Sequence, residues 1–584
     1  MNFKIESTTN ITSSVSRVND FGSAEIYKLN LKWDKNNIKP NDKAKVYFEY
    51  PMAEITNVWL PNSAPLFGLP RAIKPSWNEM GIISSIAVSA PVMTFYDNAD
   101  KNHLTIALSE TKKTIRFNFG TEEKAASLGC SFEISLIQYT DTDETELYLF
   151  VDKSDSYMYE SIENVIDWWE NEIEIKPMNV PDSAFDPLYS FWYSYHQDVY
   201  EKDVEDECQY AKDFGFKNVI VDDGWQTDDN NGGYAYCGDW EVCNNKFSDF
   251  AAHVKRVHDM GLKYILWFSV PFVGEKSKNW NRFKDMILYK NKALGAGVLD
   301  PRYKEVRDFL TSLYKDAVTE WDLDGFKLDF IDSFSNPDNI PANEKMDIPD
   351  LQDAIDALMV NIRKELTSIK SDILIEFRQK YIGPNIRKYG NMLRAADCPY
   401  DYLSNRISTL DLRLSSGETA VHSDMLMWNN DEKPEVAAIQ IINSIFSVVQ
   451  ISVKLNDLPE SHKKMLRFWV KFMDENKDLL LRSKLIVREP HMYYTSATAY
   501  DEKREISAVY SNDKCIEVNH SESVIINGTA RDYIILSFSE QGKYNFKVLD
   551  CMGNTVDEST IDADEKLQKI NVPTSGMIEL SIVK

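Results

Sequence analysis

The residues best placed to do chemistry lie in the segment 323–330, which reads Leu-Asp-Gly-Phe-Lys-Leu-Asp-Phe. An Asp-Gly turn followed by alternating residues is typical of a short buried strand. Along such a strand Phe326 and Leu328 point to one face, and Lys327 and Asp329 point to the other. The charged pair is then either a structural ion pair or the lining of a pocket. In a pocket, the lysine would keep the carboxylate ionised, as a covalent nucleophile requires.

The segment belongs to a region, from about residue 185, in which strand and helix patterns alternate. The predicted strands are 188–196, 218–225, 264–270, 325–330, 372–378, 392–397, 419–425 and 448–455. The predicted helices between most of them are 204–214, 247–260, 304–321, 351–369 and 434–447, followed by an amphipathic segment at 460–480. Eight such alternations predict a (β/α)₈ barrel. A doubly wound open sheet is the alternative, but no G-x-G-x-x-G follows any predicted strand.

The chain on either side of this region has the pattern of β structure. Residues 1–180 contain short alternating runs separated by turn clusters such as 97–102, which predicts an N-terminal β-sandwich, with a linking helix at 161–172. Residues 181–483 are predicted to form the catalytic barrel, and residues 484–584 a small antiparallel β-sandwich. The predicted fold is therefore multidomain, with β domains flanking an α/β barrel.

Polar and aromatic residues cluster where the predicted barrel strands end, and barrel active sites are built there. Adjacent aspartates after an apolar run, Asp222 and Asp223, are either a pair of turn caps or ligands for polar groups such as sugar hydroxyls. Trp225 and Trp267 offer faces for a sugar, or they belong to the core. The other candidates at strand ends for substrate binding are Arg378, Arg394, Asp401 and His422.

Two carboxylates on different strand ends, facing one pocket, meet the minimum need of glycoside hydrolysis. Asp329 is predicted to be the nucleophile and Asp397 the general acid/base. Small neighbours and the following Cys398-Pro399 predict a dry setting for Asp397, and therefore a raised pKa. Asp332, Asp401 and Asp424 compete for these roles on sequence grounds.

These residues resemble glycoside hydrolase family 36, the α-galactosidase family related to melibiases. The resemblance covers the whole chain, and its motifs are Asp222-Asp223-Gly224-Trp225, Gly238-Asp239-Trp240 with Lys246-Phe247, Lys327-Leu328-Asp329, and Asp397 followed by Asp401 and Arg406. It implies a retaining double displacement by Asp329 and Asp397. It also implies that Asp222 and Asp223 hold the galactose 4- and 6-hydroxyls and that Lys327 reaches neighbouring hydroxyls.

Three segments depart from the family pattern, so the identity of the sugar is left open. Leu328 stands where better-known members have Trp, and residues 376–381 replace a Cys-x-Gly-Gly-Gly-like segment. The acid/base lies in Ala396-Asp397-Cys398 rather than in Ser-Asp-Asn. In the family, the last two segments shape the pocket around the 2-position of the sugar.

The predicted function is that of a retaining α-galactosidase acting on chain ends, with no metal or organic cofactor. The alternatives with the same nucleophile are an α-N-acetylgalactosaminidase or galactosaminidase and a galactosyl transferase. The alternatives from other classes are a carbohydrate-binding protein with an inactive barrel, and a metal-dependent hydrolase that uses Asp222, Asp223, His422 and Asp424. The sequence has no paired-histidine motif of the kind that would favour the metal-dependent hydrolase.

Charge and composition bound the partners and the compartment. The 584 residues include 65 Lys and Arg against 92 Asp and Glu, a net charge of −27. This balance argues against nucleic acid and anionic membranes and fits a neutral oligosaccharide or glycoside substrate. Seven scattered cysteines and the absence of a leader pattern at Met1 predict a cytoplasmic protein with reduced thiols. A homo-oligomer is left open.

Overall fold

The N-terminal part of the chain forms two antiparallel sheets that share one core. The computed structural model describes residues 1–61, 71–78, 80–139, 141–378, 380–563 and 567–583. The strands described there are β1 (Phe3–Ser7), β2 (Thr12–Phe21), β3 (Ala24–Lys32), β4 (Lys43–Pro51), β5 (Asn57–Trp59), β6 (Met80–Ser84), β7 (Val92–Tyr96), β8 (Asn102–Leu108), β9 (Ile115–Glu122), β10 (Ser127–Ser135) and β11 (Glu144–Asp152). They pair in the orders β1-β4-β10-β9-β6 and β2-β3-β11-β8-β7-β5. Leu29 of one sheet and Phe117 of the other lie in the same buried cluster, as in the predicted sandwich.

The central part is a parallel barrel. Its strands are β12 (Leu188–Ser190), β13 (Asn218–Val221), β14 (Lys263–Ser269), β15 (Phe272–Gly274), β16 (Ile287–Asn291), β17 (Ala296–Leu299), β18 (Gly325–Asp329), β19 (Leu374–Phe377), β20 (Met392–Arg394), β21 (Ala420–His422) and β22 (Gln450–Ile451). Eight of the described strands pair in the order β21-β20-β19-β18-β14-β13-β12-β22, and β15 to β17 form a small antiparallel insertion. A bridge between His422 and Val448 brings the two ends of the eight-stranded sheet together, so the barrel is nearly closed.

Amphipathic helices cover the barrel. The described α-helices are α1 (Met158–Asn171), α2 (Trp192–Tyr195), α3 (Glu201–Phe214), α4 (Phe250–Asp259), α5 (Trp280–Phe283), α6 (Lys304–Trp321), α7 (Leu351–Ile369), α8 (Tyr402–Ser415), α9 (Pro434–Asn443), α10 (Glu460–Glu475) and α11 (Lys477–Arg482). Short 3-10 helices lie at Lys35–Asn37, Ser76–Asn78, Leu136–Tyr139, Asp182–Phe185, Ile331–Ser333, Ile386–Lys388 and Pro490–Met492. Between β19 and β20 the described residues contain a 3-10 turn and no α-helix. None of the helices in these parts of the chain is long and apolar enough to cross a membrane.

The C-terminal part is again β structure. Its described strands form a sheet in the order β23-β24-β25-β27-β32-β29-β30 and another in the order β26-β28-β31. Most pairs are antiparallel, as predicted, but β25 pairs with β27 and β26 with β28 in parallel. The strands are β23 (Lys484–Arg488), β24 (Ser496–Tyr500), β25 (Arg504–Val509), β26 (Cys515–Val518), β27 (Glu522–Asn527), β28 (Tyr533–Phe538), β29 (Lys543–Leu549), β30 (Thr555–Asp562), β31 (Leu567–Asn571) and β32 (Met577–Ile582). The predicted multidomain fold class is confirmed, and the exact domain boundaries stay predictions.

A buried carboxylate on α8 joins the three parts of the chain. The two oxygens of Asp411 accept hydrogen bonds from Trp59 Nε1 and from Arg71 Nη2, each at 2.8 Å. The hydroxyl of Tyr494, in the C-terminal part, donates to the same carboxylate. We call these four residues the Asp411 cluster. A buried charge is tolerated when it is paired and hydrogen-bonded in this way.

Candidate active site

Asp329, the last residue of β18, is held by donors from three directions. Its Oδ2 accepts a hydrogen bond from Trp267 Nε1 at 2.8 Å, and its Oδ1 accepts from Arg378 Nε at 2.6 Å. The backbone of Phe330 turns into the left-handed region, with φ of 64°, and its amide donates to Oδ1 at 2.7 Å. The side chain of Asp329 is only 2% exposed. The carboxylate is therefore fixed in place at the carboxyl end of a barrel strand.

Lys327 points to the same face of β18 as Asp329, as predicted, but it pairs with another carboxylate. Its Nζ lies 2.5 Å from Oδ2 of Asp222, and both side chains are almost fully buried. The cation that contacts Asp329 is instead the guanidinium of Arg378. The expectation that Lys327 is the ion partner of Asp329 is therefore wrong. The reason is that Asp222, directly after the end of β13, supplies a carboxylate in front of the lysine.

Asp223 lies in the loop after β13, where its carboxylate accepts from Gln197 Nε2 and Gln226 Nε2, each at 2.6 Å. Burial raises its pKa to about 6. Gly224 follows with φ of +116°, and a Cβ there would lie 2.6 Å from the backbone of Gln197. Lys246 donates to the carbonyls of Gln197 and Gly224 at 2.6 and 2.8 Å, so this motif lysine secures the loop.

Asp397, in the loop after β20, lies between two arginines. Its Oδ1 accepts from Arg394 Nη2 at 2.7 Å, and its Oδ2 accepts from Arg378 Nη1 at 3.0 Å. Burial raises its pKa, but the two guanidiniums outweigh burial and hold the pKa of Asp397 well below its usual range. The predicted raised pKa is therefore wrong, because the sequence did not reveal the two cations. The side chain remains 44% exposed and is open to the mouth of the barrel.

Arg394 extends this arrangement to the seventh barrel strand. Its side chain is fully buried and also donates to Asp424 Oδ1. Asp424 accepts further hydrogen bonds from the Cys398 amide at 2.6 Å and from the Tyr193 hydroxyl at 2.9 Å. Burial raises the pKa of Asp424 to about 6. We call Asp329, Arg378, Asp397, Arg394 and Asp424 the carboxylate–guanidinium network.

Tyr193 and Glu376 border this network and were not among the predicted site residues. The predicted strand 188–196 ran through Tyr193, whereas β12 ends at Ser190, so the tyrosine follows a strand end. That strand-end position was the signal that sequence reasoning missed. Glu376 lies in the barrel interior, with Oε1 at 3.7 Å from Arg394 Nε, and burial raises its pKa.

Of the three carboxylates that competed with Asp329 and Asp397 on sequence grounds, Asp332 and Asp424 lie close to them. Asp332 follows Asp329 by three residues, and burial together with the charge of Asp329 raises its pKa to about 6. Asp424 has its place in the network described above. Gln379 belongs to segment 376–381, which differs from the family pattern, and it lies outside the described residues.

The two predicted tryptophan platforms are not open faces. Trp225 is fully buried, its ring stacks on Trp240 at 6.1 Å, and its Nε1 donates to the carbonyl of Trp267 at 3.0 Å. Trp267 is also buried and stacks on Tyr234 at 5.8 Å. The substrate-binding prediction for Trp225 is therefore corrected to a core role, because the ring turns outward into the aromatic layer under the helices. Trp267 reaches the site only through its hydrogen bond to Asp329.

Asp401 and His422 also take structural positions rather than the predicted substrate-binding ones. Asp401 caps the N-terminus of α8, where it accepts from the Ser404 amide at 3.0 Å. His422 is fully buried with Nε2 at 2.9 Å from the carbonyl of Ala184, and burial lowers its pKa to about 3. His422 ends β21 inside the barrel, and Asp424, beyond the end of the strand, is the residue that contacts the network.

The comparisons with known proteins agree with this architecture. The family model described as Melibiase matches residues 183–379. The alpha-galactosidase Mel36A of Lactobacillus acidophilus is 29% identical over 152 residues, which cover 25% of this chain and 20% of that protein. The bifunctional alpha-galactosidase/sucrose kinase AgaSK of Mediterraneibacter gnavus is 28% identical over 130 residues, 21% of this chain and 14% of that protein. The matched segments thus span a fifth or less of these relatives.

Solved structures extend the likeness of fold to the whole chain. The family 36 alpha-galactosidase AgaA of Geobacillus stearothermophilus, in complex with raffinose, has a TM-score of 0.65 at 14% identity and covers 100% of this chain and 89% of that one. The alpha-galactosidase of Lactobacillus brevis has a TM-score of 0.65 at 13% identity, covering 96% and 78%. The chain therefore has the fold of these alpha-galactosidases, and its residues 183–379 match the Melibiase model, so the predicted resemblance to family 36 is confirmed.

Proposed function

We propose that this protein is a retaining glycoside hydrolase that removes terminal α-galactosyl groups from oligosaccharides. The observation that carries the proposal is the placement of Asp329 and Asp397 on one guanidinium, that of Arg378, at 2.6 and 3.0 Å. Carboxylates that share a single guanidinium lie close together. Two carboxylates in one pocket meet the need of glycoside hydrolysis, and the retaining outcome is proposed from the resemblance to family 36.

In the first step of this mechanism, an Asp329 oxygen attacks the anomeric carbon of the sugar. The bond from that carbon to the leaving-group oxygen breaks, and its electron pair stays with the oxygen, which takes a proton from Asp397. The rigid donors on Asp329 suit this role, because Trp267 and the Phe330 amide orient the carboxylate before substrate binds.

In the second step, water replaces Asp329 on the anomeric carbon. Asp397, now a carboxylate, accepts the proton of the water, and Asp329 leaves as the free carboxylate. Two inversions give net retention. The arginines beside Asp397 favour its ionised form and therefore suit this base role.

The sugar-binding side of the pocket is assigned to Asp222, Asp223 and Lys327. These buried charged groups lie at the carboxyl ends of β13 and β18, and β18 also carries Asp329. Carboxylate and ammonium groups exchange hydrogen bonds with hydroxyls. The relative AgaA was solved in complex with raffinose, an oligosaccharide. A galactosyl unit at the end of an oligosaccharide is the substrate that these features support together.

The test is a panel of nitrophenyl glycosides assayed with the wild type and with Asp329→Ala. We expect α-galactoside hydrolysis in the wild type, its loss in the variant, and its return on adding azide, with β-galactosyl azide as the product. Asp249→Ala, which removes the cap of α4, is the matched control and should keep activity. Full activity of Asp329→Ala would contradict the assignment. Turnover of only the 2-acetamido or 2-amino sugar would change the substrate, and no turnover would favour a binding protein.

A further inference from the structure

Arg378 is the described side chain that donates to both proposed catalytic carboxylates. Its Nε contacts Asp329 and its Nη1 contacts Asp397, while its guanidinium lies 5.1 Å from the ring centre of Phe330. Building on the proposed function, we infer that Arg378 is a positioning residue that locks Asp397 as a carboxylate in the free enzyme. Substrate must then displace the contact between Arg378 and Asp397 before Asp397 can act as an acid.

The two contacts of Arg378 form a bridge between Asp329 and Asp397, and the surrounding contacts indicate which of the two a substrate can displace. Asp329 is held by Trp267 and by the Phe330 amide, so its contact with Arg378 is anchored. Arg394, on the other side of Asp397, is fully buried and anchored by Asp424. Asp397 itself is 44% exposed and is the accessible member of the bridge. A glycosidic oxygen that enters beside Asp397 therefore competes with the Arg378 contact at 3.0 Å rather than with the anchored ones.

Charges from every neighbouring strand act on the proposed acid. The groups that face Asp397 are Lys327 from β18, Arg378 after β19, Arg394 from β20, Asp424 after β21, and the hydroxyl of Tyr193 after β12. The groups that face Arg378 are Asp329, Asp397, Tyr381 and Asp332, and Lys380 lies close to the last of these. Three cations thus surround Asp397, and they are opposed by Asp424 and by Asp329, which shares the guanidinium of Arg378. The two hydrogen-bonded guanidiniums favour the ionised form while the bridge is intact.

The bridge affects the two halves of the reaction differently. In the first half, the electron pair of the breaking bond goes to the leaving-group oxygen. If Asp397 carries no proton, that oxygen must depart as an anion. In the second half, the carboxylate of Asp397 takes a proton from water, which the bridge favours. Substrates whose leaving groups are stable as anions should therefore react well at neutral pH, and substrates with alcohol leaving groups should depend on the minor protonated form.

The experiment compares α-galactosyl fluoride, which needs no acid, with methyl α-galactoside, which does. The quantity measured is kcat/KM against pH, since this ratio reports the first half of the reaction for both substrates. In Arg378→Gln, the fluoride-to-methyl ratio at pH 7 should fall by about tenfold or more, because a neighbouring cation displaces a carboxyl pKa by about 1–3. The fall in methyl α-galactoside activity on the alkaline side should move to higher pH. Arg378→Lys, which keeps the charge, should lie between the two proteins.

Dividing the two rates removes any change at Asp329, because both substrates use the same nucleophile. Arg282→Gln, an exposed arginine on α5, is the matched control and should leave the ratio unchanged. An unchanged ratio in an Arg378→Gln protein that melts like the wild type would overturn the inference.

The wild type alone provides a second measurement if Arg378→Gln does not fold. Methyl α-galactoside activity should fall across the acidic range as pH rises, while fluoride activity should not. Identical alkaline limbs for the two substrates would overturn the inference and leave the proposed function intact. A wild type that turns over neither galactoside, or full activity in Asp329→Ala, would instead overturn the proposed function and this inference with it.

Discussion

Two buried arginine–carboxylate groups in this molecule look alike in composition and differ in access. In the Asp411 cluster, Arg71 is 6% exposed and Asp411 is fully buried, with donors from the N-terminal and C-terminal parts closing around it. In the carboxylate–guanidinium network, Arg394 and Asp424 are equally buried, but Asp397 reaches the surface of the barrel mouth.

The difference separates a structural ion pair from one that chemistry can use. A closed cluster gains nothing from a change of protonation, because every oxygen already has its donors and no ligand can enter. A carboxylate that is accessible from the barrel mouth, such as Asp397, can exchange a hydrogen bond to the protein for one to a substrate atom. The sequence around Lys327 and Asp329 left these two interpretations open, and the exposure of a third residue, Asp397, distinguishes them.

The largest expected effect is on activity, in Asp397→Ala. Loss of the general acid/base should lower kcat/KM for methyl α-galactoside by about 10²–10⁴-fold. The fluoride should be affected much less, and the melting temperature should not fall. Parallel rate assays and thermal melts check this, with the wild type as the reference for both. Equal losses on both substrates would mean that Asp397 is not the acid.

Asp411→Ala should do the opposite, because it leaves the guanidinium of Arg71 buried without its carboxylate. The free energy of unfolding should fall by about 3–5 kcal/mol. The kcat/KM per folded molecule should stay at the wild-type value, since the cluster lies between domains rather than at the strand ends. Denaturant titration measures the free energy of unfolding. Active-site titration gives the concentration of folded enzyme, from which kcat/KM per folded molecule is calculated. A catalytic loss without a stability loss would break the comparison.

Trp267→Phe tests whether a donor to the network matters to the reaction. It removes the indole N–H that Asp329 accepts at 2.8 Å while keeping an aromatic ring. A hydrogen bond to a charged group contributes about 1.5–3 kcal/mol, so kcat/KM should fall by about 10–100-fold. Trp469→Phe is the control, because this tryptophan is fully buried and its indole nitrogen has no partner among the described residues. Equal effects of the two substitutions would point to packing alone.

The smallest effect concerns pH and His422. Burial lowers its folded pKa to about 3, below the unfolded value of about 6.5, so the unfolded chain binds a proton that the folded chain does not. The stability contributed by this histidine is therefore present above about pH 6.5 and is lost as the pH falls towards 3. In His422→Gln, the fall of melting temperature between pH 7 and pH 4 should be shallower than in the wild type. Parallel curves would contradict this.

The sequence predicted the fold well, because repeated apolar patterns determine which elements form. The helices at 304–321 and 351–369 match α6 and α7 at both ends. Strand ends were less predictable: 392–397 was expected, and β20 stops at Arg394. Pairing ends where the chain leaves the barrel, and the residues beyond it, including Asp397, form the site. The ten-residue strand β2 has mostly exposed side chains and gives no alternating pattern, so the sequence offers little signal for its bounds.

The candidate site was predictable in residue type and less so in partnership. Asp222, Asp223, Lys327, Asp329 and Asp397 all lie at carboxyl ends of barrel strands, which is where the spacing placed them. Which cation meets which carboxylate depends on side chains from strands more than 50 residues apart in sequence, such as Lys327 with Asp222. The pKa of Asp397 depends on Arg394 and Arg378, which are 3 and 19 residues away, and the sequence pattern does not show that their side chains meet it, so the direction of the pKa shift was predicted wrongly. Trp225 failed because strand-end position does not say whether a side chain points inward or outward. His422 failed because its ring lies inside the barrel against the carbonyl of Ala184.

The position of Asp411 also has a consequence for how the molecule comes apart. Its carboxylate, on a helix of the barrel, accepts hydrogen bonds from residues 59 and 71 and from residue 494. Detaching either flanking region would leave a buried charge without some of its donors, so partial unfolding carries an added cost of about 3–5 kcal/mol. Heat should therefore melt all three regions in one cooperative calorimetric transition, and proteases should yield few stable fragments.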